Sequence, residues 1–159
     1  MAKFSHLDKS NRPSMVDISG KKVGHRTARA QCRVQLNQEI LALLRDGDIH
    51  NKKGPVFQTA ILAGVMAAKK TSDLIPLCHP LPLSDCQIKI KQDVDCQLVM
   101  DCVVSTDYKT GVEMEALTGV SVAALTLYDM CKSLSRDICI LETRLISKTG
   151  GKSDYLAEA

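Results

Sequence analysis

Four groups of ionisable side chains stand out in the chain by type and spacing. Lys52-Lys53-Gly54 places two ammoniums side by side, next to a residue that lets a ligand approach the backbone. A lysine in such a setting is a candidate for phosphate contact or proton transfer. Cys78-His79 lies between Pro76 and Pro80. The flanking prolines stiffen the loop and hold the imidazole in one direction, which suits a ligand contact or a proton relay. Cys78 itself reads as packing filler rather than as a nucleophile. Glu113-Met114-Glu115 opens a helical run. Charge–dipole stabilisation accounts for Glu113. It does not account for Glu115, which the apolar residues that follow carry toward the interior. Asp129 and Lys132 are an i,i+3 acid–base pair near the end of the same run. There the aspartate opposes the helix dipole. A fifth stretch, Gly151-Lys152-Ser153, ends like a phosphate-binding loop, but Ile146 occupies the position of its leading glycine and no helix follows. Lys148 and Lys152 remain point charges for a phosphate.

The element that must position two of these groups is Thr110 to Lys132, TGVEMEALTGVSVAALTLYDMCK. Nothing between Ala116 and Tyr128 ionises, and the run is too short for a membrane span. One buried helix is predicted, with Thr110 and Glu113 as a capping box. Glu115 and Asp129 then fall within about 40° of one face but about 21 Å apart along the axis. One small molecule cannot bridge both ends of one helix. A homo-oligomer with sites at subunit boundaries is therefore expected, and Gly119 with its alanine neighbours suits such close packing.

The remaining elements follow from periodicity. Met15–Ile18 reads as a short strand, and the alternation from Ala28 to Leu36 as a half-buried one. A short helix is predicted over Gln38–Arg45 and ended by Gly47. Asp46 to Gly54 reads as a turn-rich loop, and Pro55–Lys70 as a second helix whose Gly64 and alanines imply close packing. Three prolines keep Leu74–Leu83 irregular. Gln87–Lys91 and Gln97–Ser105 form two antiparallel strands, and Ile138–Ser147 a last strand. The layout is a flexible arm (1–14), one domain (15–149) and a flexible tail (150–159). The fold class is α+β, a ferredoxin-like antiparallel sheet with helices packed on one face.

Composition narrows the function. A chain of 159 residues with 45% hydrophobic content builds one core without help. A net charge of +3 is too small to imply non-specific nucleic-acid binding, and 3% aromatics supply no stacking platform. The seven cysteines form no C-x-x-C pair, so reduced thiols in a cytoplasmic protein are expected, with no metal site. The first fifteen residues lack an apolar stretch, so no secretory signal is expected. A non-catalytic binder of phosphorylated metabolites and an RNA-recognition module are the rival classes. The aromatic poverty disfavours the second.

LIPLCHPLPL, TGVEMEALTGVSVAALTLYDMCK and KTGGKS, in that order and spacing, resemble the molybdenum cofactor biosynthesis protein C family, the cyclic pyranopterin monophosphate synthases. The resemblance runs from Met15 to about Ser153. It implies a ferredoxin-like fold assembled as a hexamer, a trimer of dimers. It implies conversion of 3′,8-cyclo-7,8-dihydro-GTP to cyclic pyranopterin monophosphate with loss of pyrophosphate; composition adds the expectation of no membrane or nucleic-acid partner. The family's catalytic aspartate falls on Asp129, its neighbouring lysine on Lys132 and its loop lysine on Lys53. Substrate contacts fall on Leu77, Cys78, His79, Met114 and Glu115, with Glu113 beside them, and Asp17 and Arg26 match positions near the pocket. No cofactor is implied, and magnesium on the triphosphate is left open. The chain departs from the family pattern at Pro55, where an aspartate is usual, at Ile61, where a basic residue is usual, and at Asn51 or Lys52, where a second histidine is common.

Overall fold

A computed structural model of the chain describes residues 7–8 and 10–158. In chain order the elements are β1 (Gly24–Gln35), α1 (Gln38–Leu41), β2 (Leu44–Arg45), β3 (Asp48–Asn51), β4 (Gly54–Pro55), α2 (Val56–Ala68), α3 (Thr71–Leu74), β5 (Asp85–Gln92), β6 (Gln97–Tyr108), α4 (Glu113–Cys131), β7 (Cys139–Thr149) and β8 (Tyr155–Leu156). The main sheet has the order β5-β6-β1-β7-β8, and every neighbouring pair is antiparallel. Without β8, the chain path β1-α2-β5-β6-α4-β7 is the split βαβ arrangement expected of a ferredoxin-like α+β fold.

Two-residue alternation decides which face of the sheet carries the core. Ala28, Ala30, Cys32 and Val34 of β1 are buried, as are Leu98, Met100, Cys102 and Val104 of β6. Their neighbours on the opposite face are polar and pair across strands, with Arg29 Nε donating to Asp101 Oδ1 at 2.8 Å. Helices α2 and α4 cover the apolar face and pack against each other. They approach closely where Gly64 meets Gly119. A Cβ added at Gly64 would stand 2.7 Å from the Gly119 carbonyl oxygen, and one at Gly119 would stand 2.9 Å from Cys102 Sγ. The small residues of α4 thus serve packing within the chain.

Several local predictions are corrected. The helix expected over 38–45 stops at Leu41, because Asp46-Gly47 forms a two-residue hairpin turn joining β2 to β3. Both turn residues have positive φ, 52° and 81°, the conformation that an Asp-Gly pair supplies. The predicted loop 46–54 is therefore mostly hairpin, with Lys52 and Lys53 at the tip between β3 and β4. Met15–Ile18 forms no strand. The capping box at Thr110 is absent, since α4 begins at Glu113 after Val112 with no side-chain cap. Where a flexible tail is predicted, Tyr155–Leu156 pairs with β7. Gly150, at φ 80°, allows the reversal, because a Cβ there would collide with the His25 carbonyl. Part of the predicted N-terminal arm lies outside the described residues.

Candidate functional site

The C-terminal end of α4 collects three of the predicted residues. Asp129 accepts hydrogen bonds from Lys132 Nζ at Oδ1 (2.5 Å) and from Lys53 Nζ at Oδ2 (3.1 Å). Lys53 Nζ also donates to the Asp129 carbonyl oxygen at 3.1 Å. An aspartate in the last helical turn is unfavourable alone, and two ammoniums at the same end offset it. Hydrogen bonds from Lys132 and then Lys53 hold the Asp129 carboxyl below the usual carboxylate range. Its hydrogen bond to Asp129 in turn raises the Lys132 ammonium, which stays charged at neutral pH. All three side chains are about half exposed, so their charges face an open surface.

Lys53 reaches this point because the β3–β4 hairpin is pinned at its base and at its tip. At the base, the buried Asp48 carboxylate accepts from Ile49 N (2.6 Å) and Phe57 N (2.7 Å) through Oδ1, and from Gln58 N (3.1 Å) through Oδ2. Pro55 precedes α2 and has no capping side chain, so Asp48 satisfies the first free amides of that helix from across the hairpin. The α2 N-terminus is thus already occupied by the Asp48 carboxyl group rather than left open to an anionic ligand. At the tip, Asn51 Nδ2 donates to the Met130 carbonyl oxygen at 2.7 Å, and Asn51 Oδ1 accepts from Lys53 N at 2.7 Å.

The N-terminal end of α4 opens onto a basic cleft of about 480 Å³. Lys21, Lys22, Arg26, Lys109, Lys148 and Lys152 line it, with Glu113 as the one acidic lining residue among the described residues. Lys148 Nζ pairs with Glu113 Oε1 at 3.0 Å, and Arg26 donates to the Gly150 carbonyl and, at 3.4 Å, to the Tyr108 carbonyl. The cations come from the segment before β1 and its first residues, from the residue after β6, and from the end of β7 and the turn that follows it. Sheet register brings them together, with Arg26 opposite Thr106 and Thr27 opposite Thr149. Six cations against one carboxylate make an anion-attracting surface, and a chain of phosphates is the ligand chemistry it fits.

The proline-rich loop stands beside that end. Leu77, Cys78 and His79 are half-buried and lie outside regular structure. Glu115 is 4% exposed, and burial raises its carboxyl from an ordinary 4.5 to about 7. Burial also raises the Cys78 thiol, and the charge of Glu115 adds to that effect, which favours the neutral thiol. Asp17 Oδ1 accepts from Ser19 N at 2.8 Å, which lowers its carboxyl, with smaller help from Lys109 and His79. Met114 is exposed on the same turn.

The predicted residues therefore form two groups at opposite ends of α4, about 21 Å apart at 1.5 Å per residue. Asp129, Lys132 and Lys53 form one. Arg26, Glu113, Lys148 and Lys152 form the other, with Asp17, Leu77, Cys78, His79, Met114 and Glu115 on its flank. The sequence reading did not single out Lys21, Lys22, Lys109 or Asp48. The Lys21-Lys22 dyad before β1 was the available signal for the cleft. Among the described residues no cluster of three or more His, Cys, Asp or Glu could hold a metal ion, and no helix is long and apolar enough to cross a membrane.

A ferredoxin-like sheet with a cation-lined cleft at one end of α4 and a lysine–aspartate–lysine cluster at the other defines an α+β protein with two separate charged sites. The chain belongs to the MoaC family, whose model matches residues 15–151. It is 49% identical over 153 residues to a cyclic pyranopterin monophosphate synthase of Xanthomonas oryzae pv. oryzae, covering 96% of this chain and 93% of that one. It is 58% identical over 156 residues to a molybdenum cofactor biosynthesis bifunctional protein of Synechocystis, and 50% identical over 167 residues to molybdenum cofactor biosynthesis protein 1 of Dictyostelium discoideum. The match covers 95% and 94% of this chain, but the chain spans only 45% and 26% of those two longer relatives.

Proposed function

We propose that the chain is a lyase of molybdenum cofactor biosynthesis that converts 3′,8-cyclo-7,8-dihydro-GTP to cyclic pyranopterin monophosphate and releases pyrophosphate. The observation that carries this reading is Asp129 held between Lys53 and Lys132, one helix away from a cleft suited to a triphosphate. Closing the cyclic phosphate removes a proton from a ring hydroxyl, forms an oxygen–phosphorus bond and breaks the bond to the pyrophosphate oxygen. The departing pyrophosphate gathers negative charge, which fixed cations stabilise most where charge develops. Lys148, Lys152 and Arg26 hold the phosphates in this reading. Rebuilding the purine-derived ring needs proton transfers at nitrogen and oxygen. Lys53 and Lys132 perform them with Asp129 as their orienting partner. His79, Glu113 and Glu115 position the substrate, with Leu77, Cys78, Met114 and Asp17 completing the wall.

The same reading makes the assembly a homohexamer, a trimer of dimers working in the cytoplasm. The separation of the two clusters supports it, since one substrate reaches both only if neighbouring copies bring opposite helix ends together. Incubation with the cyclic GTP-derived substrate, with released pyrophosphate as the readout, tests the activity. Stoichiometric binding without pyrophosphate release would favour the non-catalytic binder instead.

A further inference from the structure

The cluster at the C-terminal end of α4 depends on one side chain that is neither acid nor base. We infer that Asn51 is a positioning residue that clamps the tip of the β3–β4 hairpin to the open end of α4 and so sets Lys53 against Asp129. Two hydrogen bonds of one amide carry the inference. Its Nδ2 donates at 2.7 Å to the Met130 carbonyl, in the helix turn where carbonyls lack helical partners. Its Oδ1 accepts at 2.7 Å from the backbone N–H of Lys53 itself. The lysine's own backbone and the helix that bears Asp129 are thereby joined through a single planar group.

Nothing else described at the tip does this. Lys52 and Lys53 are exposed, and the buried anchor Asp48 lies at the far end of β3. The Lys53 side chain is a flexible four-carbon stem whose ammonium makes both of its contacts to Asp129. An ammonium on such a stem stays at 3.1 Å only while its backbone is held in place. A displacement of about 1 Å in a reacting group costs up to about a hundredfold in rate, so a clamp here governs turnover without touching substrate.

The catalytic half of this inference rests on the proposed function, whereas the clamp itself does not, and the test separates them. Asn51→Ser keeps an acceptor for the Lys53 N–H but is too short to reach Met130. Asn51→Thr has the same hydrogen-bonding capacity and carries the test if the serine variant does not fold. The first readout needs no substrate. Full-length protein is acylated with limiting acetic anhydride, and Lys53 is compared with Lys52 on the same hairpin by peptide mass spectrometry. In the parent, Lys53 reacts more slowly than Lys52. In Asn51→Ser, as in Asp129→Asn, the Lys53/Lys52 ratio rises by about threefold, the scale of a lost surface ion pair. The second readout is steady-state turnover. The clamp predicts that kcat falls by about tenfold while KM stays within about twofold, because the phosphates are held at the other end of α4.

An unchanged labelling ratio overturns the inference. So does an unchanged kcat in a parent that releases pyrophosphate. A parent that releases none, with the ratio still raised by Asn51→Ser, defeats the proposed function and leaves the clamp standing.

Discussion

Replacing Glu115 by glutamine should stabilise the protein at neutral pH and leave its stability in mild acid nearly unchanged. The carboxyl is 4% exposed in the first turn of α4, and burial raises it from 4.5 to about 7, with Glu113 adding to the effect. Between those pH values the folded chain keeps a proton that the unfolded chain has released. The unfolded state then binds fewer protons, so stability falls as pH rises through this window. At about 1.4 kcal/mol per pH unit, the loss reaches about 3 kcal/mol by pH 7.5, an upper figure because local relaxation lessens it. Below pH 4.5 the carboxyl is neutral in both states and no loss is present. Glutamine is nearly isosteric and never ionises. Urea denaturation of parent and Glu115→Gln at fixed protein concentration, at pH 4.0 and pH 8.0, reads the difference. The variant should gain about 2–3 kcal/mol at pH 8.0 and little at pH 4.0. An equal difference at both pH values would refute the reasoning. It would mean that glutamine acts by packing or hydrogen bonding and that the buried carboxyl is not held neutral.

Three further outcomes are expected. Lys53→Ala and Lys132→Ala should each lower pyrophosphate release by at least about a hundredfold, the scale of lost acid–base catalysis, with unchanged circular dichroism. Gly64→Ala should destabilise the fold by about 1–3 kcal/mol in chemical denaturation, because its Cβ would stand 2.7 Å from a backbone oxygen of α4 that cannot easily yield. Asp48→Ala should cost about 1–3 kcal/mol, since it strips the acceptor from the first amides of α2, and hydrogen exchange should show that helix end fraying first.

The main strands and α4 were legible because their signals are local and periodic. Alternation from Ala28 to Leu36 marked the inner face of β1, and the uncharged run after Glu115 marked α4. The small elements were not legible. Asp46-Gly47 carried a hairpin signal, but the flanking strands are two and four residues long, too short for a period to show. The capping box at Thr110 failed because Val112 occupies the N-cap position. Asp48 caps α2 from across a hairpin, and sequence spacing does not reveal a cap whose partners lie nine and ten residues away. In the candidate site, side-chain type and the family resemblance pointed to Asp129, Lys132 and Lys53. The basic cleft was read only in part. Its cations come from three separate stretches that register alone brings together. Lys53 and Lys132 contact the same carboxylate, a convergence that their distance along the chain hides.

Subunit complementation tests most directly the proposal that substrate sites are shared between copies of the chain. Lys53→Ala disables one end of α4, and Arg26→Ala disables the cleft at the other. Each variant alone should be nearly inactive. Co-expressed in equal amounts with different tags and purified through both, they should recover about a quarter of parental pyrophosphate release, because about one shared site in four draws two intact halves. A mixed assembly no more active than the mean of the two variants would place each site within a single chain and contradict the account.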